Sequence, residues 1–180
     1  MQIKGSARMA ALPFLLSTVA ALAEPFDAGC IVPETSTEPV VAQSDLDKLI
    51  GWIALRTDYD VSSVYHNPPE IVFCQVGEIV EYETEGLLVD EILAAAYDLK
   101  RRRVYLVKPW ATDDLFDLSV LLHELIHVVQ LDNRDWPCAG APEWEAYTLQ
   151  SVWLRNQGII AGFDWSTIYK LSQCSAETDN

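Results

Sequence analysis

Basic residues are scarce in this sequence: 12 lysines and arginines stand against 27 aspartates and glutamates, which gives a net charge of −15 at pH 7. A negative field of this size repels the phosphates of nucleic acids and the headgroups of anionic membranes. The composition therefore argues against nucleic-acid binding and is compatible with neutral or basic partners. Half of the residues are hydrophobic, which excludes a disordered chain and is enough for the core of one domain.

Long apolar runs are missing after residue 23. The run that does exist, "MAALPFLLSTVAALA", follows the short basic segment "MQIKGSAR" and ends in Ala21-Leu22-Ala23. This arrangement is typical of a signal peptide and is too short for a membrane span. We therefore predict a cleavable signal peptide over residues 1–23, no membrane span, and a single mature domain over residues 24–180. Such a protein would be periplasmic or extracellular.

Cysteine is also rare, and the four cysteines include no CxxC pair. Structural zinc sites built from thiolates usually contain such pairs, so their absence argues against one. An even number of cysteines in an exported chain predicts two disulfides. Three pairings are possible, and we favour Cys138–Cys174 with Cys30–Cys74 because these close the shorter loops.

The hydrophobic patterns after the signal peptide predict an α+β fold. Helices are predicted to start at Ser44, where Asp47 completes a capping box, at Thr112 and at Pro142, with a last short helix capped by Asp164. Extended structure is predicted for a lead-in over residues 24–43, a strand over 71–74, and a hairpin with arms near 93–98 and 103–107. The acidic residues 76–91 remain unassigned.

Histidine is the scarcest chemically reactive residue, and two of the three histidines lie in "SVLLHELIHVVQLDN". His123 and His127 are four positions apart, so they project about 40° from one another on one face of a helix. Glu124 lies between them and is better placed to reach a water than to bind the same ion. The HExxH spacing predicts metal ligation by both histidines and general-base work by Glu124.

A catalytic zinc ion needs a third protein ligand. His66 lies far upstream in a predicted loop, and the extended motif position holds Asn133. On the next helix, Glu143 shares a face with residues expected to pack inward, whereas Glu145 shares a face with Leu149 and Val152. Both remain candidates, and Glu143 is favoured. Asp132 and Asp135, near the end of the motif helix, are less suitable alternatives.

The order of three segments resembles known zinc peptidases. HExxH followed by a glutamate on the next helix resembles the gluzincin group of metallopeptidases. "AYDLKRRRVYLV", "LLHELIHVVQ" and "EWEAY" are similar in order to the ImmA/IrrE family over residues 93–157, and the chain also resembles small secreted bacterial zincin-like domains. The resemblance implies a small antiparallel sheet packed on the HExxH helix and on a following helix that supplies the Glu143 ligand.

The resemblance also implies an activity. A Zn²⁺-dependent peptidase would hydrolyse a peptide or protein substrate with Glu124 as the base, and the strand near residues 104–107 would bind that substrate by strand addition. Tyr147 stands where these families often carry Asp or Asn; it either donates to an oxyanion or packs, and packing is favoured. Gln130 and Gln150 are candidates for hydrogen bonds behind the histidines. The alternative is a non-hydrolytic zincin-like module that binds metal or protein in the cell envelope.

Overall fold

The computed structural model describes residues 39–174. The predicted signal peptide, Cys30 and most of the predicted lead-in lie outside the described residues. In chain order the elements are α1 (Gln43–Ala54), α2 (Ser62–His66), β1 (Glu70–Cys74), β2 (Ile79–Tyr82), β3 (Glu85–Leu88), β4 (Ala95–Asp98), β5 (Arg103–Val107), α3 (Leu115–Asn133), α4 (Glu143–Asn156) and α5 (Trp165–Leu171). The predicted α+β class, the strand at 71–74 and the hairpin arms are confirmed.

The main sheet has the strand order β1-β5-β4 and is mixed rather than antiparallel. β4 pairs antiparallel with β5 as the hairpin predicts, but β1 pairs parallel with β5 on its other side. This arrangement corrects one expectation. The strand at residues 104–107 is central, so both of its edges are already hydrogen-bonded and it cannot accept an added peptide strand. β4 lies at the edge of this sheet, so within the described residues the side of β4 that faces away from β5 pairs with no strand.

A second, two-stranded sheet fills the segment that the sequence left unassigned. β2 and β3 pair antiparallel from Ile79↔Leu88 to Tyr82↔Glu85. The turn between them contains Glu83 at a φ of 50°, a conformation in which glycine or asparagine is usual. The side chain of Glu83 accepts a hydrogen bond from the backbone of Leu99, and its carbonyl accepts one from Arg101. Contacts with the β4–β5 turn therefore stabilise a conformation that the local sequence does not favour.

Two predicted helix caps are wrong by two residues each. α1 begins at Gln43 with Ala42 as its N-cap, so Ser44 lies inside the helix and caps nothing. α3 is capped by Asp114, whose carboxylate accepts hydrogen bonds from the backbone nitrogens of Phe116 and Asp117, and not by Thr112. A carboxylate is the better acceptor and also suits the helix dipole. The predicted cap of α5 by Asp164 is confirmed.

α3 is the centre of the hydrophobic core. Six of its apolar side chains are completely buried: Leu121, Leu122, Leu125, Ile126, Val128 and Val129. They pack with residues of α1, α4, β4 and β5 in one cluster. α3 therefore holds its polar residues in a fixed position, because moving it would disturb packing on every side.

The loop between α3 and α4 is fastened to the end of α5. The predicted Cys138–Cys174 disulfide joins them. The other predicted pair includes Cys30, which lies outside the described residues. Close by, the α-carbon of Gly140 lies so near the Leu171 carbonyl that a side chain would clash with it. In the described part of the chain, no helix has the length and apolarity needed to cross a membrane.

Candidate metal centre

The two histidines of α3 meet at their Nε2 atoms. His123 and His127 are one turn apart, and the distance between their Nε2 atoms is 3.0 Å. Both histidines, and Glu124 between them, are buried residues that are each 7% or 8% exposed. Since every residue of α3 from 121 to 130 is buried, the positions of both rings are determined by the core.

Glu143, the first residue of α4, lies next to the two histidines and completes a three-residue group. Its Oε2 lies 3.4 Å from Nε2 of His123, and its Oε1 lies 3.3 Å from Nε2 of His127. One ligand atom from each of the three residues lies within 4.8 Å of the others, an arrangement that could hold a metal ion. The residues predicted as ligands from the sequence are thus brought together at one point.

The alternative carboxylates point elsewhere. Glu145 accepts hydrogen bonds from Tyr59 at 2.6 Å and from Gln130 at 2.9 Å, on the far side of the imidazole pair. Asp132 forms a two-pronged ion pair with Arg102, with both distances 2.8 Å. Asp135 is exposed in the loop. Within the described residues, neither Asp135 nor His66 joins a group with metal-ligand geometry.

Two glutamines orient the imidazoles from behind. Oε1 of Gln130 lies 2.9 Å from Nδ1 of His127, and Oε1 of Gln150 lies 3.1 Å from Nδ1 of His123. Gln130 donates from Nε2 to Glu145 and to the Pro142 carbonyl, both of which can only accept. The amide of Gln130 is therefore fixed with its oxygen towards the ring, and Nδ1 of His127 must carry the hydrogen.

The same reasoning applies to the other ring. Gln150 donates from Nε2 to the hydroxyl of Ser119, which in turn donates to the Phe116 carbonyl. Nδ1 of His123 is therefore also the protonated nitrogen, which leaves a lone pair on Nε2. In their neutral forms the two rings direct lone pairs at the same space, and this is repulsive unless a cation or a proton lies there.

The charges around this space also favour a positive charge between the two rings. Burial alone would raise the pKa of Glu143, but hydrogen bonding with His123 and His127 outweighs burial and lowers the pKa to about 2. Burial alone would lower the pKa of His127, but the Glu143 and Glu124 carboxylates outweigh it and raise the pKa. The space thus attracts positive charge. Burial raises the pKa of Glu124, and the two histidines oppose this only in part.

A cleft of about 500 Å³ leads to His123, His127 and Glu143, the three candidate ligand residues. Its walls include Tyr82 and Glu83 from the β2–β3 hairpin, Tyr97 from β4, and Pro142 from the α3–α4 loop. A second cavity of about 280 Å³ adjoins it. The Tyr147 ring lies between the two and packs on the His123 ring with the centroids 4.4 Å apart. Tyr147 therefore packs against a candidate ligand.

Sequence reasoning missed the contribution of the hairpin to this cleft. Tyr82 donates a hydrogen bond from its hydroxyl to the Tyr97 carbonyl, which covers the C-terminal half of the β4 edge. Nothing in the acidic segment 76–91 indicates such a role, because the contact depends on the tertiary placement of the hairpin.

One family model matches the sequence. It covers residues 38–179 and is described as a domain of unknown function (DUF6647). The chain belongs to this family. No curated protein and no solved structure matches the sequence significantly. The evidence for function in this DUF6647 domain is therefore the geometry of its own residues.

Proposed function

We propose that this protein is an exported zinc-dependent peptidase that hydrolyses peptide bonds. The observation that carries the proposal is the convergence of two imidazole Nε2 atoms and the Glu143 carboxylate beside a buried glutamate, Glu124. Two histidines and a carboxylate are a ligand set typical of catalytic zinc. Protein ligands of tetrahedral zinc have bonds of about 2.0–2.1 Å and so lie about 3.3 Å apart. The two Nε2 atoms are 3.0 Å apart. Oε1 of Glu143 lies 3.3 Å from Nε2 of His127, and Oε2 of Glu143 lies 3.4 Å from Nε2 of His123, so all three contacts are close to this value.

A bound zinc ion supplies a Lewis acid that acidifies water and polarises a carbonyl group. His123, His127 and Glu143 would hold it, while Gln150 and Gln130 keep the histidine lone pairs directed towards it. Glu124 is adjacent to the ligands but is not one of the three residues that converge. Its carboxylate lines both cavities and is in a position to take a proton from water and deliver it to the leaving amine.

The outer edge of β4 is suited to binding an extended peptide substrate. In the β4–β5 ladder, the backbone of Val107 donates to the Ala94 carbonyl. Ala96 and Asp98 follow at two-residue intervals, so their backbone groups also point towards β5. The backbone groups of Ala95 therefore point away from β5, since the direction alternates along an antiparallel strand. Ala95 lines the cleft together with His123 and Glu124. A peptide could pair with this short edge while its scissile bond lies over the ligand group.

The experiment that tests the proposal combines metal analysis with a peptidase assay. Purified mature protein should contain about one zinc per chain and cleave members of a mixed peptide library. Glu124→Gln should keep the zinc and reduce cleavage by at least 100-fold, because removing one general base costs about 10²–10⁴ in rate.

Two results would contradict the proposal. Stoichiometric zinc with no cleavage of the library would favour a non-hydrolytic zincin-like binding module. If metal analysis finds no bound metal, neither the peptidase nor the metal-binding module is supported. Glu78→Gln is a suitable control for the Glu124 variant, since Glu78 lies in the turn before β2 and lines neither cavity.

A further inference from the structure

The chain itself closes one end of the β4 edge. The Tyr97 carbonyl accepts a hydrogen bond from the Tyr82 hydroxyl, and the Leu99 amide donates one to the Glu83 carboxylate. Tyr97 lies two residues beyond Ala95, so its carbonyl is the next acceptor that an added strand would use. This end of the cleft, defined by Tyr82, Glu83, Tyr97 and Leu99, is the closed end.

The opposite end of the same edge is open. Upstream of Ala95, Leu93 and Ile92 line the second cavity where it adjoins the cleft. Their amides donate to the Asp90 carboxylate, so strand pairing stops there. The Ile92 side chain, however, is 91% exposed. A peptide paired with Ala95 could therefore continue past Leu93, whereas the β2–β3 hairpin stands in its way at the closed end.

We infer that the substrate is the amino-terminal end of a peptide, and that the Glu83 carboxylate binds its α-ammonium group. The inference rests on the proposed function and names the substrate class of the same site. It goes beyond that function because zinc and a general base would act on any peptide bond that reaches them.

Strand direction supports an amino terminus at the closed end. A single edge residue such as Ala95 exchanges both of its backbone hydrogen bonds with one partner residue only in antiparallel pairing, which is also the more stable kind. β4 runs from Ala95 towards Asp98. An antiparallel peptide would therefore have its amino-terminal part beside Tyr97 and Glu83, and the residues that follow would leave past Leu93.

The charges that line the cleft also favour an ammonium group. In the part of the chain that the structure describes, no lysine or arginine lines the cleft, while three carboxylates do: Glu83, Glu124 and Glu143. A carboxyl terminus at the closed end would lie beside Glu83 without a cation to pair with, and an uncompensated buried charge is costly. The same carboxylate is a suitable acceptor for an ammonium group.

Arg101 does not neutralise the Glu83 carboxylate. It donates to the backbone carbonyl of Glu83, whereas its ion pairs are with Asp98 and Glu81. Within the described residues, the Glu83 carboxylate accepts from the Leu99 amide and has no ion-pair partner. Its negative charge can therefore pair with a ligand.

Tyr82 shows that the closed end lies near the metal centre. Burial raises the pKa of its hydroxyl to about 12, together with the negative charges of Glu124, Glu83, Asp98 and Glu143. The closed end and the metal centre thus act on one hydroxyl group. The segment between a bound amino terminus and the bond over the metal centre should therefore contain only a few residues.

Three hexapeptide amides of one sequence test the inference on the zinc-loaded mature protein. The first has a free amino terminus, the second is acetylated, and the third is acetylated and carries lysine as its first residue. At pH 6.5, where an α-amino group with a pKa of about 8 is charged, the free form should be cleaved with a kcat/KM about 10-fold or more above the acetylated form. Mass spectrometry should place the cut within about the first three residues.

The lysine peptide separates the two sources of an ammonium group. It should be cleaved no faster than the acetylated parent, because its charge is on a side chain and not at the chain end. If lysine restores cleavage to the level of the free peptide, the site recognises a basic side chain and the inference is wrong.

Glu83→Gln is the decisive variant, since it keeps an oxygen for the Leu99 amide and removes only the charge. It should reduce the preference for the free amino terminus to about threefold or less. Tyr82→Ala opens the closed end and should have the same effect if Glu83→Gln does not fold. Glu85→Gln is the matched control and should leave the preference unchanged, because Glu85 is exposed in the same hairpin and lines neither cavity. A wild-type preference of threefold or less, or one that neither variant reduces, would overturn the inference.

Binding to metal-free protein separates this inference from the proposed function. Ala-Leu-Ala amide and its acetylated form would be titrated into the metal-free protein and followed by NMR. The free form should bind about 10-fold more tightly, and Glu83→Gln should abolish the difference. A difference that persists in Glu83→Gln would place the ammonium group elsewhere and count against the inference. Selective binding without peptide cleavage would mean that the hydrolase proposal fails and recognition of the amino terminus stands. Cleavage without any preference for a free amino terminus would mean the reverse.

Discussion

Gln130 joins His127 to Glu145. Its amide oxygen lies 2.9 Å from Nδ1 of the histidine, and its amide nitrogen lies 2.9 Å from Oε2 of the glutamate. The side chain is completely buried. Glu145 does not face the imidazole pair itself. It acts on His127 through the Gln130 amide, which fixes the tautomer of the His127 ring.

Replacing Gln130 should weaken metal binding without removing a ligand. In Gln130→Leu, Nδ1 of His127 loses its acceptor and the ring can rotate or exchange its proton to Nε2. We expect the zinc affinity to fall about 10–100-fold, the usual effect of losing a group that orients a ligand. Competition with a chromogenic chelator measures this change. Gln157→Leu, at the exposed end of α4, is the control, and a twofold change or less in Gln130→Leu would show that the amide is not needed.

Glu143 and Glu145 form a matched pair for testing the third ligand. Glu143→Gln removes the carboxylate that faces both Nε2 atoms and should weaken zinc binding by more than about 100-fold, beyond the range for outer groups. Glu145→Gln should change it by roughly tenfold or less, because its contact is with Gln130. Zinc content after dialysis against a weak chelator distinguishes the two. Equal losses in both variants, or a greater loss in Glu145→Gln, would refute the assignment of Glu143.

Metal-free protein should show a stability maximum in mildly acidic solution. The pKa of Glu143 is lowered from 4.5 to about 2, so its stabilisation is complete above pH 4.5 and is lost as the pH falls towards 2. The pKa of His127 is raised from 6.5, so its stabilisation is complete below pH 6.5 and is lost as the pH rises through the higher folded value. The contribution of this pair is therefore greatest between about pH 4.5 and 6.5.

Urea denaturation of the metal-free protein at a series of pH values measures this profile. His127→Gln should remove the loss of stability on the alkaline side of the maximum. If the alkaline decline persists unchanged in that variant, it originates from another group.

Gly140 should tolerate no side chain. Its α-carbon is packed against the Leu171 carbonyl, so Gly140→Ala must displace the loop that carries the disulfide. We expect a loss of about 1–3 kcal/mol in the free energy of unfolding, the range for overpacking. Gly162→Ala is the control, because a β-carbon there would meet nothing within 4 Å. Chemical denaturation compares the two, and equal stabilities would contradict the tight contact.

The parts of the structure that the sequence predicted depend on local patterns. The four-residue spacing of His123 and His127 places both rings on one face in any helix, and the two apolar arms around a charged turn predict β4 and β5. The Asp164 cap follows from side-chain chemistry close to its own backbone. Each of these features needs only a few adjacent residues.

The features that were missed or wrong depend on distant contacts. The turn at Glu83 has a positive φ without glycine or asparagine, and bonds to Leu99 and Arg101 stabilise it. The parallel pairing of β1 with β5 joins residues on either side of that hairpin, so no local pattern shows that β5 is central. The choice between Glu143 and Glu145 was left open with Glu143 favoured, because it depends on how α4 packs on α3; the structure brings Glu143 to the histidines.

The burial of α3 over residues 121–130 has an evolutionary consequence. The same helix forms the core and carries both imidazoles, so a substitution that repacks its apolar faces would also move the ligand atoms. Under the proposed function, new substrate specificities should therefore arise by exchange of residues in the β2–β3 hairpin and in the segment leading into β4. Divergent members would then keep α3 nearly constant while these two surface segments vary from one lineage to the next.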